Sequence, residues 1–260
     1  MEYAAPVKVT TAVDETSNPA TVSLREAVAA TGAGGRVTFD ASLSGALITL
    51  SSEIVIPVTM EIDAGSLPAG IMLRRASGTA LRITGDRALT VRKVTFDDCA
   101  PGVLAQSGAD FTLINCRVQN CNAAPSGGGL RSFGGGIVTL LNTYLLLNQS
   151  TGGQGGALYM EGGGQLIMRD CAVLGNSAAQ HGGGFYMDGY SYLTLERCTF
   201  GRNRTGQDGG AFNGEGDATL SRVTIADNRA AGGAGSFAWG GSGATLSFCT
   251  IFRNVGTTDG

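Results

Sequence analysis

Leu166-Ile167-Met168-Arg169-Asp170-Cys171-Ala172-Val173-Leu174-Gly175-Asn176 and Leu193-Thr194-Leu195-Glu196-Arg197-Cys198-Thr199-Phe200-Gly201-Arg202-Asn203 are one pattern written twice. Its closing asparagine recurs at Asn148, Asn176, Asn203, Asn228 and Asn254, at intervals of 28, 27, 25 and 26 residues. Five positions before it stand Thr143, Cys171, Cys198, Val223 and Cys249; three before it stand Leu145, Val173, Phe200, Ile225 and Ile251. Farther back lie Leu140, Met168, Leu195, Leu220 and Leu246, and two residues earlier Val138, Leu166, Leu193, Ala218 and Ala244. The same register continues upstream through Phe111, Leu113, Cys116, Val118 and Cys121, and again through Leu89, Val91, Val94, Phe96 and Cys99. Residues between these columns, such as Arg92, Arg117, Arg169 and Glu196, are mostly polar, so each strand has an inward and an outward face.

A unit repeating every 25–28 residues buries its apolar face only against its neighbours. Short strands, Gly and Asn corners and little helical periodicity predict an all-β fold, a single-stranded, right-handed parallel β-helix. A leucine-rich horseshoe would need a shorter, Leu-dense period with helical returns, which the chain lacks. Stacked inward asparagines would pair with one another and satisfy backbone groups left free at the bends. Gly155-Gly156, Gly183-Gly184 and Gly209-Gly210 mark sharp turns. The 260 residues suffice for about eight turns, roughly 40 Å of solenoid at strand spacing.

The N-terminal stretch departs from the repeat and reads as a cap over residues 1–57, with the repeats filling 58–260. Val7 to Val13 predicts a strand, and Ser23-Leu24-Arg25-Glu26-Ala27-Val28-Ala29-Ala30 a short amphipathic helix, residues 23–31, with Ser23 and Glu26 as a capping box. At the other end no cap follows Asn254, which points to truncation of a longer protein or to end-to-end or homo-oligomeric contact through the last rung. A net charge of −3 and pI near 5.2 leave no basic stripe for nucleic acid. No apolar run approaches the ~20 residues that span a bilayer. Met1-Glu2-Tyr3 does not open a signal peptide, so a secretion signal is expected to be removed or absent.

Val22-Ser23-Leu24-Arg25-Glu26-Ala27-Val28 resembles the Cys-Ser-Leu-Arg-Glu-Ala domain that opens many bacterial surface β-helix proteins, with Val22 in place of the Cys. Gly155-Gly156-Ala157-Leu158, Gly209-Gly210-Ala211-Phe212 and Phe200-Gly201-Arg202-Asn203 resemble the GGA(I/L/V) and FxxN repeats of chlamydial polymorphic outer-membrane proteins. The resemblance covers nearly the whole chain. It implies export to the cell surface or medium and adhesin-like behaviour. An autotransporter would in addition need a β-barrel translocator beyond this sequence.

All six cysteines fall on inward columns, in slots that hold Val, Thr or Asn on other rungs, and read as free core thiols. Cys99 with Cys121, and Cys171 with Cys198, lie on adjacent rungs, but in-register parallel strands aim both side chains the same way, which disfavours a disulfide. One histidine and no Cys-x-x-Cys argue against zinc.

Function is sought on the outward columns. Glu161, Asp188 and Glu215 are spaced 27 residues apart and predict a carboxylate column, flanked by Tyr159 and Tyr186. Like charges about 5 Å apart call for a cation, a proton or a ligand, and Ca2+ is the metal such a column would take. Paired carboxylates beside aromatic rings also suit glycoside chemistry, with Asp188 as central acid or base, Glu161 and Glu215 as partners, and the tyrosines as sugar platforms. At the turn, Ser126, Gln154, His181, Asp208 and Gly233 align, and His181 with Asp208 forms a second candidate pair for ligand binding. Two expectations follow. One is a non-catalytic, secreted or cell-surface solenoid that binds a polysaccharide, a host or cell-surface glycan, or a protein, without a required cofactor. The alternative is a polysaccharide lyase or glycoside hydrolase acting in a groove along one sheet.

Overall fold

The computed structural model describes residues 5–16 and 18–257; Met1-Glu2-Tyr3 lies outside them. The chain winds as a parallel β-solenoid whose strands pair only with their equivalents one turn away. The core register is continuous: Leu89 pairs with Phe111, Phe111 with Val138, then Leu166, Leu193, Ala218 and Ala244 in succession. Nine rungs form, about one more than the length suggested, because pairing already begins at Gly35–Phe39, inside the stretch assigned to the cap.

In seven successive turns two corners are each made by a single left-handed residue. The first is Lys93, Asn115, Asn142, Asp170, Arg197, Arg222 or Phe248, at φ between 46° and 56°. The second is Asp98, Asn120, Leu147, Gly175, Arg202, Asp227 or Arg253. Non-glycine residues pay roughly 1–3 kcal/mol for that conformation. The inward residue that follows each second corner offsets the strain. Asn176 donates its backbone N–H and its Nδ2 to Asn203 Oδ1 at 3.0 Å each, and donates Nδ2 to the Leu145 carbonyl one rung below. Asn148, Asn203 and Asn228 repeat this arrangement, and all four are at most 1% exposed. Below Asn148 the same slot holds Cys121 and then Cys99, so the polar ladder passes into thiols in the two turns beneath.

Between these columns the core is apolar. Phe185, Phe212 and Phe237 stack at centroid separations of 4.7 and 4.9 Å, with Phe200 edge-on to the first two. Each fully buried Phe contributes about 1.5–3 kcal/mol. The exposed Asp170–Arg197 pair is screened by water and contributes little. The core columns therefore hold the fold. The cysteines are free thiols, five buried and Cys249 partly so. Burial pushes the Cys116 thiol up to about 11, so it stays protonated and inert.

The cap forms as its motif predicts. Leu24–Ala30 is helical, Ser23 and Glu26 complete the capping box, and Leu24, Ala27 and Val28 seal the first rung. Arg25 holds Asp14 through two hydrogen bonds at 2.9 and 3.0 Å, and Asp14 in turn accepts from the backbone and hydroxyl of Ser51. The cap is thus bolted to the second face of the first rung. The strand at its start is Val7–Val9, shorter than the apolar run suggested.

Candidate functional site

The Gly corner delivers the chain to the face that carries the outward candidates. Gly155, Gly182 and Gly209 have φ of 64–74°, and a Cβ on Gly156 would meet the Gly183 carbonyl at 2.1 Å. Adjacent rungs touch backbone to backbone here, and no other residue fits. Strands Leu158–Glu161, Phe185–Glu196 and Phe212–Ser221 leave this corner in register, placing Arg131, Tyr159, Tyr186 and Asn213 in one outward column.

In this column the two tyrosines stack at 5.7 Å with an interplanar angle of 8°, and Phe133 packs against Tyr159 at 5.8 Å. Tyr159 points outward as expected, yet its ring is 9% exposed because Tyr186 and Phe133 cover it. It supports the face and is not a platform; Tyr186 is the more open ring. The Tyr159 hydroxyl donates to Glu161 at 3.1 Å. Burial and the neighbouring Glu161 and Asp188 raise the Tyr159 phenol well above its ordinary value, so it remains a donor. Tyr186 is raised for the same reasons, by burial and then by Asp188 and Glu215.

The acidic column is less regular than its 27-residue spacing implies. Pairing along this face stops at Met160–Met187, and between Met187 and Ser191 the strand bulges, so Asp188, Gly189 and Tyr190 stand opposite Glu215 alone. Asp188 is half-buried and accepts from the Gly189 N–H at 2.8 Å; Glu161 and Glu215 are exposed. Among the described residues no three His, Cys, Asp or Glu side chains converge as a metal site.

The turn candidates join the same face. His181 lies 6.2 Å from Tyr186, centroid to centroid. Its Nδ1 accepts from the Asp208 backbone N–H at 3.3 Å, while the Asp208 carboxylate sits 3.7 Å away and accepts from the Gly233 N–H at 2.7 Å. With Nδ1 accepting, the neutral ring carries its proton on Nε2. Asp208 therefore holds the imidazole through its backbone, and its carboxylate is not the orienting partner of a catalytic base. His181, Tyr186, Tyr159 and Glu161 form one contiguous run.

Two residues absent from the sequence candidates dominate the face. Tyr190 is 76% and Tyr192 58% exposed, and with Ser191, Gly216 and Asp217 they line a shallow cleft of about 160 Å³. The signal lay in the Gly corners between the two halves of the long face. Two rungs read Gly134-Gly135-Gly136 and Gly162-Gly163-Gly164, and the next reads Gly189-Tyr190-Ser191. A tyrosine where its neighbours have only backbone must project from the surface.

Residues 79–251 match the family model described as a right handed beta helix region. The chain belongs to that family. No curated protein matches the sequence. Among solved structures, the β-helix is similar to a chain titled "Geobacillus virus E2 - ORF18", with a TM-score of 0.43 and 14% identity. That alignment covers 94% of this chain and 60% of that one, so this β-helix spans less than two thirds of its solved neighbour.

Proposed function

We propose that this β-helix is a non-catalytic glycan-binding solenoid of the cell surface or medium, and that it binds on the bulged face. The observation that carries the reading is the pair of exposed rings, Tyr190 in the bulge and Tyr192 just past it where pairing resumes, lining a cleft with Asp217 on the strand that also carries Asp188. Apolar sugar faces stack on such rings while carboxylates accept hydrogen bonds from sugar hydroxyls. A cleft of about 160 Å³ is well below the ~300–1,000 Å³ of a small-molecule pocket, so a ligand lies along the face and does not enter it. The acidic surroundings favour neutral or amino sugars over polyuronates. The resemblance of the cap motif and the Gly-Gly-Ala repeats to surface proteins supports an exported location. Calorimetric titration with hits from a glycan array tests the proposal: neutral glycans bind, Tyr190→Ala and Tyr192→Ala each weaken binding about tenfold, and binding only by polyuronates overturns it.

Glycoside hydrolysis is the second reading, favoured by the Tyr159–Glu161 hydrogen bond that fixes one carboxylate on the face that also carries Asp188. Release of reducing ends from a bound glycan, abolished by Glu161→Gln, would establish it over binding alone.

A further inference from the structure

We infer that Asp188-Gly189 is a site of covalent self-modification, at which the Asp188 carboxyl closes on the Gly189 backbone nitrogen as a succinimide that water reopens to isoaspartate. The reaction asks three things of a chain. The residue after the acid must leave its nitrogen unhindered, that nitrogen must lie against the carboxyl carbon, and it must be free of the hydrogen-bonded ladder. Glycine, with no side chain, meets the first condition. Among the described residues an Asp or Asn precedes Gly three times, at Asp188-Gly189, Asp208-Gly209 and Asn213-Gly214.

The bulge separates the first of these from the other two. The Gly189 N–H donates to Asp188 Oδ1 at 2.8 Å, so the carboxyl carbon, one bond from that oxygen, is held against the nitrogen that must attack it. Gly189 pairs with no residue on either neighbouring rung: pairing lapses after Met187 on both sides and resumes at Ser191 and Tyr192. The other two glycines are locked in the stack. Gly209 donates its N–H to the Ala234 carbonyl at 2.9 Å, and Gly214 pairs with Met187 on one side and Trp239 on the other. Two further hydrogen bonds prepare the Asp188-Gly189 peptide. Its carbonyl accepts from the Gly163 N–H at 3.4 Å and from the Ser191 hydroxyl at 3.2 Å, which draws electron density off the amide and makes its proton easier to lose.

The chemistry is a dehydration followed by a hydration. The Gly189 nitrogen bonds to Asp188 Cγ, a carboxyl C–O bond breaks, and that oxygen leaves as water with the amide proton and the acid proton. Solvent water then adds to one of the two ring carbonyls. Addition at the side-chain carbonyl restores aspartate. Addition at the backbone carbonyl leaves the chain running through Cβ and Cγ, with a free carboxylate on Cα. The main chain is then one carbon longer immediately before Gly189 and Tyr190. An unpaired bulge takes up the extra atom, where a paired strand would lose its register. The fold therefore survives while the exposed Tyr190 ring is moved. That this lowers glycan binding rests on the reading proposed above; the modification itself does not.

Peptide mapping by mass spectrometry, with electron-transfer fragmentation to tell isoaspartate from aspartate, tests the inference. It is applied to the protein stored folded and to the protein stored unfolded in guanidinium chloride. In the folded protein, succinimide and isoaspartate are expected at residue 188 at least about tenfold faster than at residue 208, and ahead of deamidation at Asn213. Unfolding should reverse the order, because Asn-Gly is the faster pair in a free peptide. Asp188→Glu keeps the carboxylate but would have to close a six-membered ring, so it should stop the reaction at this peptide, with circular dichroism checking that it folds. The inference is overturned if residue 188 of the folded protein rearranges no faster than residue 208, if Asn213 leads there too, or if the Asp188→Glu protein still rearranges. Unchanged glycan binding by the isoaspartate fraction would overturn only the consequence for Tyr190.

Discussion

The Asn corner and the bulged face belong to the same turns and obey different constraints. At the Asn corner each rung supplies the acceptor for the rung before it, so Asn148, Asn176, Asn203 and Asn228 stand in identical bonding, buried and paired. On the bulged face the outward residues change with every rung, from Phe133 to Glu161, Asp188 and Glu215, and the strand register itself shifts. The stack enforces sameness where a side chain must satisfy its equivalent, and leaves freedom where a side chain meets solvent. Chemistry specific to this protein is therefore sought where the repeat is broken.

The strongest way to break the comparison is at the Gly corner, where the varied side is as constrained as the Asn side. Gly183→Ala puts a Cβ 2.4 Å from the Gly210 carbonyl and 2.6 Å from that of Arg204, both backbone. A loss of about 3 kcal/mol or more is expected, read as a large fall in melting temperature by calorimetry. Asn176→Ala comes next. It leaves the Asn148 N–H without its acceptor in a buried site and should cost about 2–3 kcal/mol in chemical denaturation. If the bulged face is free of such duties, Tyr190→Ala should leave stability within about 0.5 kcal/mol, and it should act on glycan binding alone.

Acid sharpens the contrast from another side. Burial alone would raise the Asp97 carboxyl, but hydrogen bonds from Arg74, Gln119 and Asn120 outweigh it and hold Asp97 below its ordinary value. Asp14 is lowered in the same way, its burial outweighed by Arg25 and Ser51. A depressed carboxyl adds stability above its unfolded value, near 4, and loses it as pH falls through the folded value. Melting temperature should drop below about pH 4, and Asp97→Asn should shrink the difference between pH 7 and pH 3. The smallest effect is expected from calcium. With no three acidic, His or Cys side chains converging among the described residues, a millimolar addition should leave the melting curve of both the parent and Asp188→Asn unmoved.

The columns of the core were legible because their residues are forced to repeat: Leu89 through Ala244 were placed in register from spacing alone, and the pairing agrees. The cap was legible because Ser23 and Glu26 carry a local hydrogen-bond code. The bulge was not, because the drop in interval from 27 to 25 residues shows that two residues are taken up but not where along the strand. Tyr190 was hidden by that ambiguity. Tyr159 was placed on the correct side, but its covering by Tyr186 and Phe133 follows from packing between rungs, which a column of letters does not contain.

Between successive ladder asparagines turn length varies from 25 to 28 residues, yet the ladder never loses step. On the long face the difference is taken up between Met187 and Ser191, and again between Glu215 and Asp217, after which the paired register resumes. These bulges work as expansion joints. A foreign peptide loop spliced between Gly189 and Tyr190 should be carried on a rigid mast without disturbing the turns above and below.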